Sequence, residues 1–188
     1  MMQCNYMNEG CDGGWAIFNG FLAENGHITT EDCAPYTART KNHNCAQYSH
    51  CPKHAKVTKS EYLAGYNYNP SVELIQKEML INGPLVTEFK CDENFQVYKK
   101  GIMIDKNVDG EKSSESHKTL AQINSQMADQ ALDHTIILVG WGYDEKLNIP
   151  YWIVRNSYGM KWGMFGDFKV RRGHNDFGIE SELSAFTL

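Results

Sequence analysis

At 188 residues, with 41% hydrophobic, 22% charged and 12% aromatic content, the chain has a globular composition and enough length for one domain or two small lobes. A net charge of −5 argues against nucleic acid as a partner, because no basic stripe exists to neutralise phosphates, and "YKKG" and "KVRRG" read as solvated strand ends. No apolar run reaches the ~20 residues of a bilayer span, and "MMQCNYMNEG" has neither the basic start nor the apolar centre of a signal peptide.

In chain order, "GCDGGWAIFNGFLAENGH" predicts a helix with Trp15, Phe18, Phe21 and Leu22 on one face and Gly26 as its stop. A polar, turn-rich stretch follows. Cys4, Cys11, Cys33, Cys45 and Cys51 crowd this first part of the chain, and Cys91 stands alone downstream. Such crowding predicts a disulfide-stapled lobe formed in an oxidising compartment. A zinc site is the alternative, with Cys33, Cys45, Cys51 and His54 as ligands, but the usual paired C-x-x-C spacing is missing. Disulfides are favoured and no metal is expected.

"NPSVELIQKEMLINGP" predicts a second helix, capped by Asn69, with Pro70 in its first turn and Val72, Ile75 and Met79 on one face before Gly83-Pro84 ends it. Strands are then predicted at Leu85–Lys90, Phe95–Tyr98, Thr135–Gly140, Tyr151–Val154, Phe168–Arg172 and Glu180–Phe186. The polar stretch at 104–130 reads as an exposed insertion. The expected organisation is α+β: a helical, disulfide-rich lobe over 1–65 and a mostly antiparallel β lobe over 66–188.

Two residues carry the chemistry. His134 opens the apolar run "HTIILVGWG", and Asn156 ends the run "YWIVRN". A histidine and an asparagine at neighbouring strand ends make a base and the group that orients it.

"GCDGG", "CAPYT", "INGPL", "YKKGI", "DHTIILVGWG", "YWIVRNSYGMKWG" and "IES" occur here in the order that resembles papain-family cysteine peptidases, most closely their dipeptidyl peptidase I (cathepsin C) branch. The resemblance implies a papain-like two-lobe fold, thiol-dependent peptide hydrolysis, no cofactor and a peptide or protein substrate. His134 matches the catalytic histidine and Asn156 its orienting amide, while Gly13, Gly14, Tyr158 and Trp162 match the substrate pocket and the aromatic shield. It further implies Cys4–Cys45 and Cys33–Cys51 disulfides, an unpaired Cys11, and a lysosomal or secretory location; an intracellular assembly is the alternative.

The family's "Q-x-x-x-C-G-S-C-W"-like segment, which supplies the nucleophile, the oxyanion glutamine and the start of the central helix, has no counterpart before Cys11. Cys91, in "EFKCDENF", is expected to be a free, partly buried thiol on a strand. The chain is therefore expected to be catalytically incomplete by itself, with another polypeptide filling the central-helix gap. Ile17 stands where dipeptidyl-peptidase-like members carry a tyrosine associated with chloride, which argues against chloride binding and dipeptide-selective trimming, and Tyr158 replaces the usual tryptophan shield, a modest change. Ile17 and the altered Met164, Phe165 and Asp167 support a second reading, a non-catalytic homologue serving a larger assembly.

Overall fold

The structure, a computed structural model, describes residues 4–36, 48–65, 69–106, 108 and 132–188. In chain order its regular elements are α1 (Ala16–Asn25), β1 (Lys59–Tyr62), α2 (Val72–Asn82), β2 (Leu85–Phe89), α3 (Glu93–Gln96), β3 (Ile102–Met103), β4 (His134–Asp144), β5 (Ile149–Arg155), β6 (Asp167–Arg171) and β7 (Leu183–Thr187). The chain divides into two compact units, Met1–Tyr62 with Ser184–Leu188, and Leu63–Leu183.

In the first unit, α1 buries Ile17 and the small residues Ala16, Gly20 and Ala23. Gly20 is needed there: a Cβ would fall 2.3 Å from both Phe186 and the Ser60 hydroxyl, so the helix approaches at a distance only glycine allows. The predicted face is thus not the buried one. Trp15 and Phe21 stay 47% and 37% exposed. β1 pairs antiparallel with the end of β7, from Lys59↔Thr187 to Tyr62↔Ser184.

Cys33 and Cys51 form a disulfide. It takes two of the sulfurs that the four-ligand zinc alternative required. Cys4 is also disulfide-bonded, while its expected partner Cys45 lies outside the described residues. Cys11 is free and exposed.

The second unit is built on a sheet with strand order β2-β4-β5-β6-β3. Every pairing is antiparallel except β3 with β6. Alternation explains the strands: β2 points Leu85, Thr87 and Phe89 inward, and β4 does the same with Ile136 and Leu138. Thr87 is buried at no cost in hydrogen bonding, because its hydroxyl donates to the Ile179 carbonyl at 2.8 Å. The β4–β5 connection is a local turn in which the Asp144 carboxylate accepts from the Lys146 and Leu147 amides, both at 3.1 Å.

Several expectations need correction. Phe95–Tyr98 is no strand: Asp92 caps the Phe95 amide at 2.8 Å and starts α3. Cys91 accordingly sits in the connection between β2 and α3, off the strand. The cap of α2 is Ser71, whose hydroxyl accepts from the Leu74 amide at 3.2 Å, and Asn69 lies outside the helix. The last strand begins at Leu183, because Glu180 is held in the preceding turn. The predicted insertion at 104–130 falls largely outside the described residues.

Candidate active site

All the elements of the site lie in the second unit. β4 and β5 run antiparallel, so the start of β4 and the residue following β5 lie at the same end of the sheet. That juxtaposes His134 and Asn156, 22 residues apart in sequence, with Nε2 2.8 Å from Asn156 Oδ1. His134 is fixed by pairing with Phe89 in β2, and the Asn156 amide donates to the Gly166 carbonyl at 2.9 Å.

The orientation of the Asn156 amide is set independently. The Ser157 backbone N–H donates to Oδ1 at 2.7 Å, so that atom is the carbonyl oxygen. A carbonyl oxygen only accepts, so His134 Nε2 carries the proton and Nδ1 of the neutral ring is left as the basic atom. Asn156 is 7% exposed, and its Nδ2 donor meets no acceptor among the described residues.

An aromatic cluster supports the pair. Phe95, fully buried, meets the His134 ring edge-on at 5.6 Å between centroids and Trp162 at 4.9 Å. Tyr158 lies 5.3 Å from the His134 ring and 5.5 Å from Trp162. Trp162 is fixed by donation from Nε1 to the Gln96 carbonyl at 3.1 Å. Apolar rings around the His134–Asn156 hydrogen bond lower the local dielectric and strengthen it. Tyr158 remains 45% exposed, a partial cover, and burial raises its phenol pKa above the usual value.

Cys91 stands close by. Its backbone N–H donates to Asp133 Oδ1 at 2.8 Å, next to His134 in the chain. Burial, reinforced by the Asp133 and Asp92 carboxylates, pushes its thiol pKa up to about 12. A nucleophilic cysteine needs the opposite shift.

The remaining residues singled out in the sequence belong to both units. Gly13 and Gly14 belong to the first unit, both at positive φ. A Cβ at Gly14 would lie 2.2 Å from Asn8 Oδ1, which accepts from the Trp15 amide at 2.9 Å to brace the turn, whereas Gly13 faces open space. Ile17 is buried in α1. Phe165 is 79% exposed, and Asp167 pairs with Arg155 through contacts of 2.9 and 3.2 Å. Sequence reasoning missed Phe95, the centre of the aromatic cluster. The signal was Asp92, three residues before it and a helix cap.

A scan against protein families matches residues 1–187 to the papain family cysteine protease model. Cathepsin C of Schistosoma mansoni is 31% identical over 96% of the chain and 37% of its own length. Cathepsin B-like cysteine proteinase 1 of Ostertagia ostertagi is 30% identical over 97% of the chain and 54% of its own length. The chain thus spans between about a third and a half of those relatives. Among solved structures, procathepsin L 3 of the Tenebrio molitor larval midgut superposes with a TM-score of 0.73 at 22% identity, covering 100% of this chain and 53% of that one. The bromelain protease of Ananas comosus gives 0.73 at 21%, covering 100% and 75%. The fold is papain-like.

Proposed function

Because the chain belongs to the papain family of cysteine proteases, we propose that it supplies the base half of a thiol-dependent peptidase site and that polypeptide outside residues 1–188 supplies the thiolate. The observation that carries this reading is the 2.8 Å contact between His134 Nε2 and Asn156 Oδ1, which directs Nδ1 to accept a thiol proton. Asn156 orients the ring, Trp162 and Tyr158 shield the hydrogen bond, and the imidazolium formed stabilises the thiolate. The substrate is a peptide, with dipeptidyl removal as the specific variant and a lysosomal or secretory compartment as the setting.

Two features support completion by another segment. Among the described cysteines, Cys4, Cys33 and Cys51 are consumed in disulfides, the Cys91 thiol holds its proton, and Cys11, free and exposed, does not stand in a segment of the family's nucleophile pattern. Asn156 Nδ2 is a buried donor in need of an acceptor, which a backbone carbonyl of the completing polypeptide would provide.

The second reading, a non-catalytic homologue that serves as a binding component of a larger assembly, is favoured by the open Tyr158 shield and the exposed Phe165. Complementation separates the two. A polypeptide carrying the family's cysteine-and-glutamine segment is refolded with the chain and assayed on peptide reporters. Alkylation-sensitive turnover that falls at least ~10⁴-fold in His134→Ala, with peptide binding retained, supports the peptidase reading. A well-folded complex that binds peptide and never cleaves it supports the second.

A further inference from the structure

The first unit holds a cluster that peptide hydrolysis does not use. Cys33, His50 and Cys51 bring one ligand atom each to within 4.8 Å of one another. Two turns set this up. The Cys33 amide donates to the Thr30 carbonyl at 3.2 Å, and the Cys51 amide donates to the Tyr48 carbonyl at 3.0 Å, which carries His50 and Cys51 round together. His50 Nε2 stands 3.9 Å from Cys33 Sγ, although the ring itself is exposed. His54, the histidine singled out from spacing, is not among the three.

Two thiolates and an imidazole form a donor set suited to zinc. Tetrahedral coordination with Zn–S of about 2.3 Å and Zn–N of about 2.0 Å places sulfur and nitrogen about 3.5 Å apart and two sulfurs about 3.8 Å apart. His50 Nε2 is already near that sulfur–nitrogen distance from Cys33 Sγ, and all three ligand atoms lie within 4.8 Å of one another. What stands in the way is the bond between the sulfurs.

We propose that this cluster is a redox-gated zinc site, closed while Cys33 and Cys51 are joined and opened by a thiol reductant. Two equivalents of a monothiol break the S–S bond. The protein sulfurs take up two electrons and two protons to become thiols, and the reductant leaves as its own disulfide. Zn²⁺ then displaces both protons to solvent and forms two Zn–S bonds and one Zn–N bond, with no change of oxidation state. Solvent takes the fourth position. The same two turns are tied together in either redox state, covalently when oxidised and through the ion when reduced.

Cobalt(II) is the probe, because thiolate coordination gives it an intense near-ultraviolet band and tetrahedral geometry gives visible bands. The chain is titrated as oxidised protein and after reduction by a phosphine. The oxidised form should show neither band. The reduced form should bind one equivalent, which zinc displaces stoichiometrically. His50→Ala should weaken binding ~10-fold or more, since even outer-shell partners of metal ligands cost that much. Cys33→Ser should abolish the thiolate band at that stoichiometry, and Cys11→Ser should change nothing. The exposed His50 makes its variant safe to fold, which the oxidised form verifies by circular dichroism and melting. A reduced chain that binds no cobalt overturns the proposal. So does binding of equal strength in His50→Ala, including binding by a reduced chain that has lost its structure.

Discussion

The two units are held together by different means. The second buries Phe89, Phe95, Trp152 and Phe168 completely, and the three phenylalanine rings pack together at the end of the sheet that carries His134 and Asn156. In the first, Ile17 is the one large side chain buried to that degree among the described residues, and Trp15 and Phe21 remain open. Disulfides take the place of a core there. The His134–Asn156 hydrogen bond keeps its geometry only if the rings around it do not move, and the second unit holds them by packing. The first has the economy of a small cross-linked domain, in which covalent bonds substitute for buried area.

The contrast breaks most readily at Phe95. Phe95→Ala should cost about 3–5 kcal/mol, seen as a lower urea midpoint for the second unit, because the cavity opens beneath His134, Tyr158 and Trp162 at once. A loss below ~1 kcal/mol would mean that the aromatic cluster is not what fixes the site. Next in size is Cys33→Ser. Opening a cross-link that spans 18 residues should cost about 2–4 kcal/mol in the oxidised protein. Hydrogen exchange should show this loss in the first unit and leave β4 and β5 protected; equal loss in both would erase the distinction.

Cys91 tests the second unit through pH. Its folded pKa is raised from 9.0 to about 12, so the fold favours the protonated thiol. That contribution is fully present below the unfolded value of 9.0 and is lost as pH climbs through about 12, where the folded thiol ionises too. Melting temperature should therefore fall across this window and fall less in Cys91→Ala. A parallel decline in both proteins would show that the thiol is not held in its protonated form. The smallest effect belongs to Trp15→Ser, which removes an open side chain and should change stability by under ~0.5 kcal/mol. A larger loss would mean that Trp15 already packs in the isolated chain.

How far the sequence revealed this arrangement depends on the kind of signal. His134 and Asn156 were legible because each ends an apolar strand within a recognisable motif, and antiparallel pairing does the rest. The Cys33–Cys51 bridge was legible through resemblance. Phe95 was not: "ENFQVY" has the aromatic and β-branched content of a strand, and the cap from Asp92 overrode it. Tertiary pairs left no local trace. Trp152 Nε1 donates to the buried Glu180 carboxylate at 2.7 Å, and Glu180 also accepts from the Gly173 and Asn175 amides at 2.6 and 2.9 Å, which holds it in a turn where a strand was expected. Arg171 and Asp176 form a buried pair at 2.8 Å in what reads as a solvated "VRRG" cluster. His50 rather than His54 lies beside Cys33 and Cys51, because spacing along a chain does not report which turn folds back.

His134 and Asn156 are proposed to form half of a site whose thiolate comes from outside residues 1–188. The most direct test is the hydrolysis of dipeptide and longer peptide reporters by this chain alone, with its disulfides intact, compared with Cys91→Ala. Neither protein should show thiol-dependent turnover. Turnover by the unaltered chain that an alkylating reagent blocks and Cys91→Ala abolishes would contradict it, because Cys91 would then be the nucleophile.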